Sequence, residues 1–156
     1  MRVMLPHDQT RKLTRALERA GRSEIGGQLF GEQIAPSRFR VTDLSVQSRV
    51  GSFAGFVVDL VDAARAAVAF FRRTGHDYSR HNYIGEWHSH PSFAVSPSPK
   101  DSNTMRQLVG SPDFVGSFAV LLIARLDDGV LRTGAWLFDP LGREDAVELE
   151  IEDVRE

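Results

Sequence analysis

Between residues 85 and 101 the chain reads Gly85-Glu86-Trp87-His88-Ser89-His90-Pro91 and then, after five residues, Pro97-Ser98-Pro99-Lys100-Asp101. Alternate side chains of an extended segment point the same way, so His88 and His90 can present both imidazoles to one point. Two neutral imidazoles and one carboxylate make a catalytic zinc set, because three protein ligands leave the fourth tetrahedral position open. Asp101 is the natural third ligand. Taken alone, each half has a bland reading: His-x-His pairs are common near strand ends, and Ser98-x-x-Asp101 is a capping box at a helix start. The capping reading does not compete with chemistry, since a helix N-terminus holds Ser98 and Asp101 on one turn and so fixes them in place.

Composition narrows the alternatives. The chain has 156 residues, of which 42% are hydrophobic, enough for the core of one domain spanning 1–156. It contains no cysteine, which excludes disulfides, thiolate nucleophiles and cysteine-held metal, so any metal must be bound by histidine and carboxylate. The net charge of -2 comes from interspersed acids and bases with no basic stripe, and nucleic acid is not expected as a partner. The run Val3-Met4-Leu5-Pro6 lacks the apolar core of a secretory signal, and no stretch approaches the roughly 20 apolar residues of a membrane span. A cytoplasmic protein with no membrane partner is the expectation.

These residues need a scaffold. Asp8 is placed to cap a first helix in which Leu13, Ala16, Leu17 and Ala20 recur at helical spacing before Gly21 ends it. Residues 25–34 and 38–50 read as two strands around a Pro36-Ser37 turn. A second helix is expected from about Asp59, with Leu60, Val61, Ala64, Val68 and Phe71 on its apolar face and Gly75 as its stop. The stretch from Asn82 to His90 reads as a strand, 91–97 as a Ser/Pro-rich loop, and Ser98-Pro99 as the start of a helix burying Met105, Leu108 and Val109. Three further strands are expected at 115–124, 130–138 and 146–151, with Asp127-Asp128-Gly129 as a hairpin turn. Trp87 and Ser89 should face away from the ligands, with Trp87 in the core. Phe53, Phe56, Phe70 and Phe71 are core or groove wall. His7, His76 and His81 sit in polar, turn-like contexts and are expected to be solvent-exposed. The whole predicts an α/β domain with a central sheet, mixed or mostly antiparallel, flanked by helices.

The two halves of the motif together match His-x-His-Pro-x5-Pro-Ser-x-x-Asp, and the chain thereby resembles the JAMM (MPN+, JAB) zinc metallopeptidases. Upstream, Ser23-Glu24-Ile25-Gly26-Gly27-Gln28-Leu29-Phe30-Gly31 is similar to the family's Glu-x-Gly-Gly-x-Leu-x-Gly strand. The resemblance implies the MPN (JAB) fold, one zinc per chain, Glu24 as catalytic acid/base and Ser98 as stabiliser of the oxyanion. Chemistry agrees. Zinc lowers the pKa of water from roughly 15.7 to about 7, yet a peptidase still needs a group to carry a proton to the leaving amine. Glu86 is the rival base, and the candidate to orient a ligand from behind.

A zinc nucleoside deaminase is excluded because its Pro-Cys-x-x-Cys cannot be supplied here. A His-Glu-x-x-His protease is excluded because that motif is absent. In its compact length, its Tyr83-Ile84-Gly85-Glu86-Trp87-His88-Ser89-His90-Pro91 run and the Phe-containing helix before it, the chain resembles the short bacterial branch of the family, found with E1-like and E2-like proteins in ubiquitin-like conjugation and antiviral operons. That resemblance implies an isopeptidase or peptidase cutting after the C-terminal glycine of a ubiquitin-like protein, with such E1-like and E2-like proteins as further partners. A peptidase that processes sulfur-carrier proteins, and an MPN scaffold without activity, are the alternatives.

Overall fold

The computed structural model describes residues 1–47 and 60–152. In chain order the elements are β1 (Arg2–Leu5), α1 (His7–Ala20), β2 (Gly26–Ala35), β3 (Arg38–Leu44), α2 (Leu60–Arg73), β4 (His81–Ser89), α3 (Pro99–Gly110), β5 (Ala119–Asp127), β6 (Val130–Phe138), β7 (Glu144–Ala146) and β8 (Glu148–Ile151). The strands form one sheet in the order β7-β6-β5-β4-β2-β3-β1-β8. Four of its pairings are antiparallel (β2 with β3, β2 with β4, β5 with β6, β6 with β7) and three are parallel (β1 with β3, β1 with β8, β4 with β5). The expected mixed, mostly antiparallel sheet flanked by helices is what forms.

Period-two alternation divides the side chains between the two faces. On one face Leu13, Ala16 and Leu17 of α1 pack with Leu29, Val41, Ile84, Trp87, Val120 and Leu122. On the other, Met105 and Val109 of α3 pack with Ala119, Leu121, Ile123 and Phe138. Further along that second face, Phe70 of α2 stacks on Phe30 at 4.8 Å, and Phe71 and Tyr83 meet the same ring edge-on. Trp87 is fully buried, as expected, and its indole N–H donates to the Ser45 carbonyl.

Several expectations need correction. Asp8 does not cap α1: Pro6 holds the extended cap position and makes no side-chain cap bond, leaving Asp8 in the first turn, where its charge favours the helix dipole. The expected strand at 146–151 is two short strands, β7 on β6 and β8 on β1, with Val147 between them donating to the Ala135 carbonyl. One segment thus touches both ends of the strand order, so the sheet curls until its edges are bridged. β5 starts at Ala119, four residues later than expected, because Val115 is almost wholly exposed and pairs with no strand. The hairpin turn contracts to Asp128-Gly129, both with positive φ, the two-residue type whose twist suits a hairpin. Of the histidines expected in solvent, His81 is only half-exposed and packs against Phe70, and His7 is also partly covered. Phe53, Phe56, the helix start at Asp59 and the expected extension of β3 over 48–50 lie outside the described residues.

Candidate metal centre

β4 delivers His88, and the chain leaves the sheet with His90, whose backbone N–H still donates to the Ala124 carbonyl of the parallel neighbour β5. The ring nitrogens Nε2 of the two histidines stand 3.1 Å apart, and both residues are buried. Asp101 comes from the first turn of α3 and spans the pair: Oδ1 lies 3.3 Å from His88 Nε2 and Oδ2 lies 3.3 Å from His90 Nε2. Among the described residues this is the group whose donor atoms converge, all within 4.8 Å of one another. Two Nε2 atoms facing each other at that distance can share one proton or one cation, since two bare lone pairs would repel. His90 Nδ1 is 2.7 Å from the Ala94 carbonyl, which can only accept, so Nδ1 carries the hydrogen and a neutral ring turns the Nε2 lone pair inward. Two nitrogens and a carboxylate so aimed fit zinc chemistry.

Asp101 is fixed before any ligand arrives. Ser98 caps α3: its backbone N–H donates to Asp101 Oδ2 at 2.8 Å, and its Oγ accepts from the Asp101 N–H at 3.1 Å, with Pro99 at the first helical position. Burial would raise the Asp101 carboxyl, but the bonds from His88, His90 and the Ser98 N–H hold it far below the usual carboxylate range. Burial would likewise depress His90. The Asp101 bond, the Ala94 carbonyl and the charges of Asp101 and Glu24 outweigh it and raise His90.

Glu24 sits half-buried two residues before β2, close enough for its charge to act on His90. The register of β2 on β4 sets this proximity, with Gly26 opposite His88. A Cβ on Gly26 would come 2.6 Å from the Trp87 carbonyl, and one on Gly27 would come 2.0 Å from the Ser45 carbonyl, so glycine at both positions lets the strands close up. Glu86 faces the same side as His88 but turns to Tyr83, whose hydroxyl donates to Oε1 at 2.6 Å. Its Oε2 has no hydrogen-bond partner among the described residues, and burial pushes the carboxyl up to about 8 against the Tyr83 bond. Burial, then the neighbouring Glu86, raises Tyr83 well above its ordinary value.

The loop 91–97 is held by hydrogen bonds to two successive carbonyls and by close packing of a third, none of them marked by side-chain identity. Arg125 Nη1 donates to the Phe93 carbonyl at 3.2 Å, His90 takes the Ala94 carbonyl, and the Val95 carbonyl lies over Gly134, where a Cβ would come within 2.3 Å. The Phe93 ring, half-exposed, rests against His90 with centroids 4.4 Å apart. A glycine inside an otherwise regular strand is a signal of close backbone approach, and Gly134 carried it.

Comparison with known proteins adds the following. The family model described as prokaryotic homologs of the JAB domain matches residues 6–137, a span holding Glu24, His88, His90, Ser98 and Asp101. No curated protein matches the chain. Among solved structures, the chain is similar to the solution structure of protein DSY2949 from Desulfitobacterium hafniense, with a TM-score of 0.67 and 19% identity over 97% of this chain and 93% of that one. At that identity the likeness speaks for the fold.

Proposed function

The chain belongs to the prokaryotic homologs of the JAB domain, and on that premise we propose that it is a zinc-dependent peptidase acting after the C-terminal glycine of a ubiquitin-like protein. The observation that carries the proposal is the meeting of His88, His90 and Asp101 within 4.8 Å with the Glu24 charge beside them. His88 and His90 Nε2 and one Asp101 oxygen would hold the metal. Zinc there supplies Lewis acidity, which acidifies water and draws charge from a carbonyl oxygen.

The chain's own residues supply the rest. Glu24 takes a proton from the attacking water and returns it to the departing amine, a task needing a carboxylate at the rim with some access to solvent. Ser98 Oγ accepts from the Asp101 N–H, which leaves its own hydroxyl hydrogen to donate to the oxygen on which charge builds. Glu86 is unsuited to that first role: it is enclosed, committed to Tyr83 and pushed toward its neutral form.

Substrate choice rests on the shape of the approach. A Gly-Gly tail has no side chains and can enter a narrow channel as an extended strand. The half-exposed Phe93 ring beside His90 offers such a tail an apolar surface next to the histidine pair. The test is a ubiquitin-like protein from the same genome joined through Gly-Gly to an unrelated protein. Cleavage at the junction, blocked when the last glycine is made bulky and lost in Glu24→Gln, is the expected result. Equal cleavage of the bulky variant or of an unstructured peptide would show a general peptidase instead.

A further inference from the structure

One link that bears on the place of Glu24 crosses from the residue after it to β4. Ser89, the residue between the two histidines, is 1% exposed and points away from His88 toward the α1 face. Its Oγ accepts from the Ile25 N–H at 2.9 Å, while its own N–H donates to the Ile25 carbonyl at 2.8 Å. Both polar groups of the Ile25 backbone are thus tied to the one residue flanked by both imidazoles. Ile25 is buried and directly follows Glu24, which has left the ladder and has no strand of its own.

We propose that Ser89 is a positioning residue for Glu24: by clamping Ile25 it fixes the distance between the proton-carrying carboxylate and the histidine pair. The inference rests on the reading of Glu24 given above. Without the hydroxyl, Ile25 N–H loses its partner and the backbone bond from the Ser89 N–H to the Ile25 carbonyl is left to hold the segment before Gly26, which gains freedom to shift, while His88, His90 and Asp101 keep every contact described above. Ser89 would then affect the rate of the proton-transfer step and leave metal binding alone.

A matched control lies two strands away. Ser45 Oγ accepts from the Gln28 N–H at 2.8 Å, a second serine-to-β2 bond four residues past Glu24. The experiment compares zinc-loaded wild type, Ser89→Ala and Ser45→Ala on the Gly-Gly fusion, together with zinc content and amide hydrogen exchange at Glu24 and Ile25. Ser89→Ala is expected to lower kcat by about 10–100-fold with KM and zinc content unchanged, as a small misplacement of a reacting group does. Exchange at Ile25 should speed up. Ser45→Ala should stay within about threefold of wild type, inside the scatter of a change remote from the reacting groups. Equal losses in the two variants, lost zinc in Ser89→Ala, or unchanged Ile25 exchange would each overturn the proposal. A wild type that cleaves nothing would instead overturn the peptidase reading, and the exchange data would still decide whether the clamp exists.

Discussion

The helices α1 and α3 begin by opposite means. α1 starts after Pro6 with no side-chain cap bond, and is held by burying Leu13, Ala16 and Leu17 against the sheet. α3 buries only Ser102, Met105 and Val109, yet its first turn is locked by reciprocal bonds between Ser98 and Asp101. The α1 start is tied to its surroundings and not to its own cap residue: Glu152 accepts from the His7 N–H and the Gln9 side chain bonds the backbone of Thr42 and Leu44, while packing supplies most helical stability in a protein. The α3 start is tight because Asp101 has a second duty. Both of its carboxylate oxygens are committed to histidines, and a carboxylate free to rotate could not serve two partners at once.

That contrast can be broken most severely at Asp101. Asp101→Ala removes the cap's acceptor and the third donor together, so zinc binding should be lost outright and thermal stability should fall by about 1 kcal/mol. Elemental analysis reads the first effect, and melting of the variant beside zinc-free wild type reads the second. Ser98→Ala should leave zinc bound, cost about 1 kcal/mol through the lost cap and lower turnover by about 10²–10³-fold, the usual effect of removing an oxyanion donor. If Ser98→Ala melts earlier but turns over at the wild-type rate, Ser98 is a cap and nothing more.

Two smaller changes sharpen the comparison. Gly134→Ala puts a methyl group 2.3 Å from the Val95 carbonyl and 2.5 Å from the Trp136 ring, pressing on the loop whose Ala94 carbonyl orients His90. Zinc affinity should drop by about 10–100-fold, as it does when the partner of a ligating histidine is disturbed, and competition with a chromogenic chelator measures it. Asp8→Ala in the first turn of α1 removes a favourable charge at a helix start and the acceptor of the Gln9 amide, and should cost about 1 kcal/mol with zinc content unchanged. A larger loss would mean that α1 depends on its first turn after all.

How much of this was legible in the sequence follows the span over which each feature is encoded. His88, His90, Ser98 and Asp101 lie within 14 residues, and a strand followed by a capped helix is enough to bring them together. Glu24 lies 64 residues before His88, and nothing local shows that Ile25 would be tied to Ser89, so its place came from resemblance and from long-range register. β1 escaped notice because four residues, two of them buried, give too short an alternation, and its place is set by partners at both sides. The division of β7 from β8 depends on the curl of the whole sheet, which no local pattern encodes. Arg125 reads as an ordinary strand cation beside Asp127, and its bond to the Phe93 carbonyl comes from a loop 32 residues away.

Everything proposed for this chain depends on His88, His90 and Asp101 acting together as one zinc site. The most direct test is the zinc content of purified wild type, His88→Ala and His90→Ala after each has been supplied with zinc and freed of excess by gel filtration. About one zinc per chain is expected in the wild type and a small residual fraction in either variant, because each substitution removes one of three protein ligands. Wild-type protein that remains metal-free, or variants that retain the wild-type content, would contradict it.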